Sequence, residues 1–497
     1  MDTSARPTSS RTAESAAGSA AAEIHETHTG IVALVGDRAY KVKKPVVTDF
    51  LDFSSVERRE QVCVREVSLN QRLAPDSYLG VAHLSDPHGG RPEPVIVMRR
   101  YPDSRRLTSI VVSGEAVVDH LSAIAEALAR FHADADRSDA IDRAATVPAI
   151  TGRWRDNLTE LRRYAGTVVP ADSLAEVDRL ADQFIKGRAD LFSDRIANRR
   201  VVDGHGDLLT GDIFCMPDGP AILDCLEFDD SLRHVDCSDD AAFLAMDLEF
   251  LGRKDLADNF IAEYQRLSGD TPPTALVGFF VAYRAVVRAK VDCIRVDQGD
   301  LSAADDARRH LDVALDRLRR GTVRLIIVGG GPGTGKTTLA HALAEQVSAQ
   351  VVSTDDVRRE LQESGVLDGA AGILNEGLYS NDNVAAVYDA VLERARKTLA
   401  MGRSVVLDGT WRDPDLRRRA RDIAIEQACP TVELACTVPI DEAKERIVRR
   451  QATKSDATPQ IAEGLAGAQW PDAHLINTRR PLADSVTEAQ RICCSVI

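Results

Sequence analysis

The stretch 324–340, RLIIVGGGPGTGKTTLA, decides how the C-terminal part of this chain folds. Residues 325–328 are a continuous apolar run of the kind a buried parallel strand needs. At once follows Gly330-Gly331-Pro332-Gly333-Thr334-Gly335-Lys336-Thr337-Thr338, and then an amphipathic helix. In that order the glycines let consecutive backbone N–H groups wrap an anionic phosphate at a helix N-terminus. Lys336 then reaches the β- and γ-phosphates of ATP, and the Thr337 hydroxyl takes a Mg²⁺ position. The alternative is a glycine-rich turn that binds nothing; the agreement of every motif position and of both flanks favours the nucleotide.

Outward from this stretch, strands expected at 325–328, 350–353, 404–407, 431–437 and 473–477 alternate with helical segments, the pattern of a parallel sheet with crossovers. Ligands of such sheets lie at the carboxyl ends of the strands, so the residues just past each strand are the candidates. After the second strand come Asp355 and Arg358, three apart and on one side of a first helical turn. There a carboxylate can take a hydroxyl proton and a guanidinium can hold the acceptor. The competing reading of Asp355 is a helix N-cap. After the third strand comes Asp408, in a Walker-B-like place near Mg²⁺ or the acceptor. Arg446 and Arg450, one turn apart on a basic helix, read either as a lid that neutralises a transferring phosphoryl group or as a solvated helix face.

These pieces together, the glycine loop through Thr338, the Asp355-x-x-Arg358 pair, Asp408 and the Arg446/Arg450 helix, resemble the P-loop small-molecule kinases, the group of gluconate kinase, zeta toxin and polynucleotide 5′-kinase. The resemblance implies that Asp355 activates an acceptor hydroxyl and that ATP with Mg²⁺ is the cofactor. It runs from about residue 322 to the C-terminus.

Upstream, residues 1–22 are Ser, Ala, Thr and Arg with almost no large apolar side chain and read as a disordered tail. GIVALV, a Gly36-Asp37 turn and RAYKVKK then read as a hairpin whose period of two puts Lys41 and Lys43 on one face. A helix over 56–73 carries Glu66, a buried strand covers 94–98, and helices dominate from about 114 to 196. Short strands follow, each ending in carboxylates: VVDGHGDLLTGDIFC from Val201, then AILDCLEFDD. A charged helix over 303–320 leads into the glycine-loop strand, which places a boundary near Gly321.

His205-Gly206-Asp207-Leu208-x-x-Gly211-Asp212 followed by Ile222-Leu223-Asp224, with the upstream lysine hairpin and helical glutamate, resembles the aminoglycoside phosphotransferase family, relatives of the protein kinases. The resemblance implies that Lys41, held by Glu66, positions the α- and β-phosphates. It also implies that Asp207 accepts the substrate proton and that Asp224, with Asp212, holds Mg²⁺. His205 reads as an orienting or packing side chain. Asp212 departs from the family, which has Asn there; an aspartate is a competent ligand for a hard cation, but without metal it repels ATP.

The expected architecture is therefore an α+β protein-kinase-like domain over 23–300, a helical connector over 301–321, and an α/β P-loop domain with a parallel sheet over 322–497. The whole resembles bacterial proteins described as bifunctional aminoglycoside phosphotransferase/ATP-binding proteins. With 62 basic and 77 acidic side chains the 497-residue chain carries −15, which argues against bulk affinity for nucleic acid or an anionic membrane. Nine scattered cysteines without metal spacing point to a reducing cytoplasm, and no apolar run is long enough for a bilayer. The expected activity is ATP-dependent phosphorylation of a hydroxyl on a small, sugar-like metabolite. A regulatory ATP-binding or ATPase role and a 5′-hydroxyl nucleic-acid kinase stand as alternatives.

Overall fold

A computed structural model describes residues 22–26, 30–46, 52–85, 89–369, 376–449 and 470–496. The expected tail over 1–22 therefore lies outside the described residues apart from Ala22, and so does Arg450. The chain forms two compact units. One is built from residues 1–150, 195–272 and 280–313, the other from 151–194, 273–279 and 314–497.

In the first unit, strands β1 (Glu23–Glu26), β2 (Gly30–Val35), β3 (Arg38–Lys43), β4 (Tyr78–Leu84) and β5 (Glu93–Arg99) form an antiparallel sheet in the order β1-β2-β3-β5-β4. The β2–β3 hairpin turns at Gly36-Asp37, where Gly36 takes a φ of 58° that other residues resist. Helix Val56–Asn70 packs on this sheet through Cys63 and Val67, against Tyr78 and Ile96. Its N-terminus is capped by Ser55, whose hydroxyl accepts from the Arg58 N–H. Two small antiparallel pairs follow: β6 (Val201–Asp203) with β9 (His234–Asp236), and β7 (Ile213–Met216) with β8 (Gly219–Ile222). This is the α+β, protein-kinase-like arrangement expected, with β1 and β4 added to it.

In the second unit, β10 (Leu325–Gly329), β11 (Ala349–Ser353), β12 (Ser404–Asp408), β13 (Thr431–Thr437) and β14 (His474–Asn477) form a wholly parallel sheet in the order β11-β12-β10-β13-β14. Every residue of β10 and β12 is buried, as strands covered on both faces require. Helices Lys336–Gln346 and Leu482–Ser495 cover one face, where Leu339, Leu343, Ala489 and Ile492 meet Ile326, Val406 and Leu434. Because all five strands run the same way, the segments after β10, β11, β12, β13 and β14 emerge at one edge. This is an α/β fold of the P-loop NTPase type.

Candidate functional site

The loop after β10 is shaped by glycines that nothing else can replace. Gly330 sits at φ 148° and Gly333 at φ 78°. A Cβ on Gly330 would lie 2.6 Å from Thr334 Oγ1, and one on Gly333 would lie 2.4 Å from the Ala443 carbonyl. Gly335 caps the helix that Lys336 opens, so the loop's amides and the helix N-terminus face the same space.

At the end of the neighbouring β12, Asp408 is 2% exposed. Burial pushes its carboxyl up, while Lys336 and the nearby Thr337 hydroxyl pull the other way. Its Oδ1 has no hydrogen-bond partner, an orphaned buried acceptor beside the loop's lysine and threonine. That donor set, one carboxylate oxygen and one hydroxyl with room for phosphate oxygens, fits Mg²⁺, which binds through few protein ligands. Among the described residues no group of three or more His, Cys, Asp or Glu side chains forms a metal cage.

Beyond β11, helix Thr354–Glu363 is capped by Ser353, whose hydroxyl accepts from the Asp355 N–H at 3.3 Å. Asp355 is therefore in the first turn and not the cap. Its Oδ1 accepts from Arg358 Nη1 at 2.8 Å, and the Arg358 guanidinium lies over the Tyr379 ring, 4.6 Å from its centroid. Asp355 is close enough to Asp408 to oppose its ionisation. After β12 the chain turns sharply at Trp411, a fully buried residue at φ 49°. Tyr388 accepts from the Trp411 N–H at 3.3 Å, and Arg417 donates to the Trp411 carbonyl at 2.7 Å.

Arg446 is already docked. It donates to Glu442 Oε1 at 2.7 Å and to the Thr478 carbonyl at 2.9 Å, and its Nη1 would stand 3.6 Å from a Cβ on Gly335. Thr478, just past β14, ties this side chain to the loop by donating to the Thr334 carbonyl at 2.7 Å. Sequence reasoning missed Thr478, although the rule that singled out Asp355 and Asp408, a position just after a parallel strand, applies to it equally. Two cavities flank the loop. One of about 460 Å³ meets Gly333, Gly335, Thr338, Arg446 and Arg480. The other, about 260 Å³, meets Gly330, Pro332, Thr410, Trp411 and Trp470.

The first unit holds its own cluster. Lys41 Nζ lies 2.8 Å from Glu66 Oε1 and 2.8 Å from Asp224 Oδ1. Lys43, on the same face, lies 2.6 Å from Glu66 Oε2 and 2.6 Å from Glu227 Oε1. Both lysines thus share one fully buried glutamate, and only Lys41 also meets Asp224. Asp224 sits at φ 64°, a conformation aspartate tolerates, and Lys41 holds its carboxyl below the usual range. Asp212 is raised well above that range by burial and by its neighbours Asp224 and Asp207. Asp207 is pushed up to about 6, chiefly by burial. His205 is buried: Asp207 N–H donates to its Nδ1 at 3.3 Å, so the proton is on Nε2, which points to the Leu223 carbonyl at 3.1 Å. Asp240, fully buried, accepts from the backbone of His205 and Gly206 at 2.7 and 2.9 Å and is 3.0 Å from His132 Nε2.

Fold and site together define a protein with an α+β kinase-like unit and a P-loop unit. The family model described as an AAA domain matches residues 325–467. Over 477 residues, 96% of this chain and 96% of theirs, the chain is 54% identical to the uncharacterized proteins Rv2004c of Mycobacterium tuberculosis and Mb2027c of Mycobacterium bovis. The chain belongs to their family. Among solved structures, a choline/ethanolamine kinase family protein from Mesorhizobium loti is similar over 59% of this chain and 92% of its own, at 16% identity and a TM-score of 0.36. A gluconokinase from Sinorhizobium meliloti is similar over 35% of this chain and 92% of its own, at 17% identity and a TM-score of 0.27.

Proposed function

We propose that this protein is an ATP-dependent phosphotransferase of the bifunctional aminoglycoside phosphotransferase-like/P-loop type, acting in the cytoplasm. Its P-loop domain, which the sequence places over 322–497, transfers the γ-phosphoryl group to a hydroxyl of a small polar, sugar-like metabolite. The observation that carries this reading is the meeting of three strand ends: the Lys336 loop, the orphaned carboxylate of Asp408, and the Asp355–Arg358 pair. In this reading the backbone amides from Gly330 to Thr338 cradle the phosphates and Lys336 bridges the β- and γ-groups. Thr337 and Asp408 would hold Mg²⁺, which when bound neutralises charge developing between those phosphates. Asp355 takes the acceptor's hydroxyl proton, the acceptor oxygen bonds to the γ-phosphorus, and the bond to the β–γ bridging oxygen breaks to release ADP. Arg358, braced by Tyr379, holds the acceptor, and Arg446 faces the transferring group.

Incubation with γ-labelled ATP and a metabolite panel tests this, in an Asp207→Ala background that silences the first unit. Lys336→Ala and Asp355→Asn should each abolish labelling, the second without loss of ATP binding. Labelling that survives Asp355→Asn removes the proposed base.

In the kinase-like domain that the sequence places over 23–300, we assign Lys41 and Glu66 to the α- and β-phosphates, Asp207 to the acceptor proton, and Asp212 with Asp224 to the metal. One observation favours a regulatory reading of that unit instead. Asp212 is crowded by Asp207 and Asp224, and Lys41 is already neutralised by Glu66 and Asp224. In the Lys336→Ala background, ATP binding without turnover, lost on adding Lys41→Met, is the outcome that reading requires.

A further inference from the structure

Helix Thr274–Asp297 carries two arginines, Arg284 and Arg288, one turn apart on the same face. Arg284 is 5% exposed and fully committed. It holds Asp239 through Nε and Nη2 at 2.7 and 2.9 Å and donates from Nη1 to the Gly206 carbonyl at 3.2 Å, next to Asp207. Arg288, the next turn along, is half-buried and has no hydrogen-bond or ion-pair partner among the described residues. Of the cations around Asp207, Arg288 acts on its carboxyl most strongly.

Apart from Asp212, which is crowded by Asp207 and Asp224 and is assigned above to the metal, the carboxylates in the same surroundings are engaged. Asp224 is bonded to Lys41 at 2.8 Å, Asp239 to Arg284, and Asp247 accepts from the Thr210 amide and hydroxyl at 2.8 and 2.6 Å. Outside the metal site the uncommitted charge facing Asp207 is therefore positive. An ammonium-bearing acceptor would meet a like charge there, with no free carboxylate other than the metal-site Asp212 to receive it.

We propose that the first unit takes a hydroxyl acceptor bearing an anionic group, a carboxylate or a phosphate, and that Arg288 binds that group while the hydroxyl meets Asp207. This rests on the phosphotransferase reading of the first unit. In the step, the acceptor's hydroxyl proton goes to the Asp207 carboxylate, the acceptor oxygen bonds to the γ-phosphorus, and the bond to the β–γ bridging oxygen breaks to leave ADP. A guanidinium suits either acid, since its planar fork matches both carboxylate and phosphate oxygens.

The test uses the full chain with Lys336→Ala, which silences the P-loop site, and γ-labelled ATP with four matched acceptors: glucose 6-phosphate, gluconate, glucose and glucosamine. Label should enter an acidic acceptor and not glucosamine, and which of the two acids is labelled tells phosphate from carboxylate. Arg288→Gln should raise the KM for that acceptor roughly tenfold to hundredfold, the cost of one charge-assisted contact, while the KM for ATP stays within about twofold. Arg288→Lys should recover part of the loss. Equal labelling of glucosamine, or an acidic acceptor indifferent to Arg288→Gln, overturns the proposal. If nothing is labelled, calorimetric titration of glucose 6-phosphate, gluconate and inorganic phosphate separates the two readings. Binding that Arg288→Gln weakens keeps the anion site while ending the transfer reading; binding that is absent or unchanged for all three ends the anion site.

Discussion

The residue whose environment is best defined is Asp240. It is buried without a formal cation in direct contact, yet the His205 and Gly206 amides and the His132 ring converge on it. Burial works against its charge, but hydrogen bonding and charge from His132, with the ring and backbone N–H of His205, outweigh burial, so its carboxyl lies well below the usual range. A depressed folded value stabilises the fold fully above the unfolded value of about 4, and that stability is lost as pH falls from there toward the folded value. Asp240→Asn should lower stability at pH 7 by about 1–3 kcal/mol and flatten the acid side of the urea midpoint-against-pH curve. An unchanged acid slope would show that Asp240 is not the group responsible. Gly333 sets a second residue-scale limit. With φ 78° and the Ala443 carbonyl 2.4 Å from a would-be Cβ, Gly333→Ala must displace the loop from helix Ile440–Arg449. ATP affinity should fall at least about tenfold with the far-ultraviolet circular dichroism unchanged, as strain of about 1–3 kcal/mol implies.

At the scale of elements, the two lysines of β3 divide their labour by depth. Lys43 is 3% exposed and bonded to Glu66 and Glu227, whereas the Lys41 side chain is 19% exposed and reaches Asp224 in the cleft. Lys43→Met leaves buried carboxylates uncompensated and should cost about 3–5 kcal/mol in urea unfolding of the first unit. Lys41→Met should instead act mainly on nucleotide affinity, read by fluorescent ATP-analogue titration in the Lys336→Ala background. Helix Thr354–Glu363 depends on Ser353, because this cap sets the turn that aims Asp355. Ser353→Ala should cost about 0.5–2 kcal/mol and lower kcat for phosphotransfer more than it raises the KM for ATP.

At the scale of the molecule, the parallel sheet is what assembles the P-loop site. Residues 330–338, 355–358, 408 and 478 come from four strand ends, and only a shared strand direction puts them at one edge. Mg²⁺–ATP bound to the folded chain alone should stabilise it by about 2.7 kcal/mol at a hundred times Kd. With two nucleotide sites, Lys336→Ala and Lys41→Met should each remove part of the ATP-induced rise in melting temperature, and the double variant all of it. A rise that Lys336→Ala abolishes completely would leave the first unit without an ATP site.

Much of this was legible from residue order. The run at 325–328, the glycine loop and the carboxylates at strand ends are local patterns, because a buried strand, a phosphate cradle and a strand terminus each impose composition on consecutive residues. The strand β4 was not legible, since YLGVAHL alternates weakly and leaves Leu79 and Leu84 exposed. Contacts between distant segments were equally hidden. Nothing in the spacing of Lys41, Lys43, Glu66 and Glu227 tells that one glutamate serves both lysines, or that Thr478 closes on Thr334. Sequence by itself determined the two fold classes, the phosphate loop and the acidic candidates. Tertiary structure alone decided which charges are spent and which are free, because a side chain's partner depends on what packing brings within about 3 Å and not on its distance along the chain.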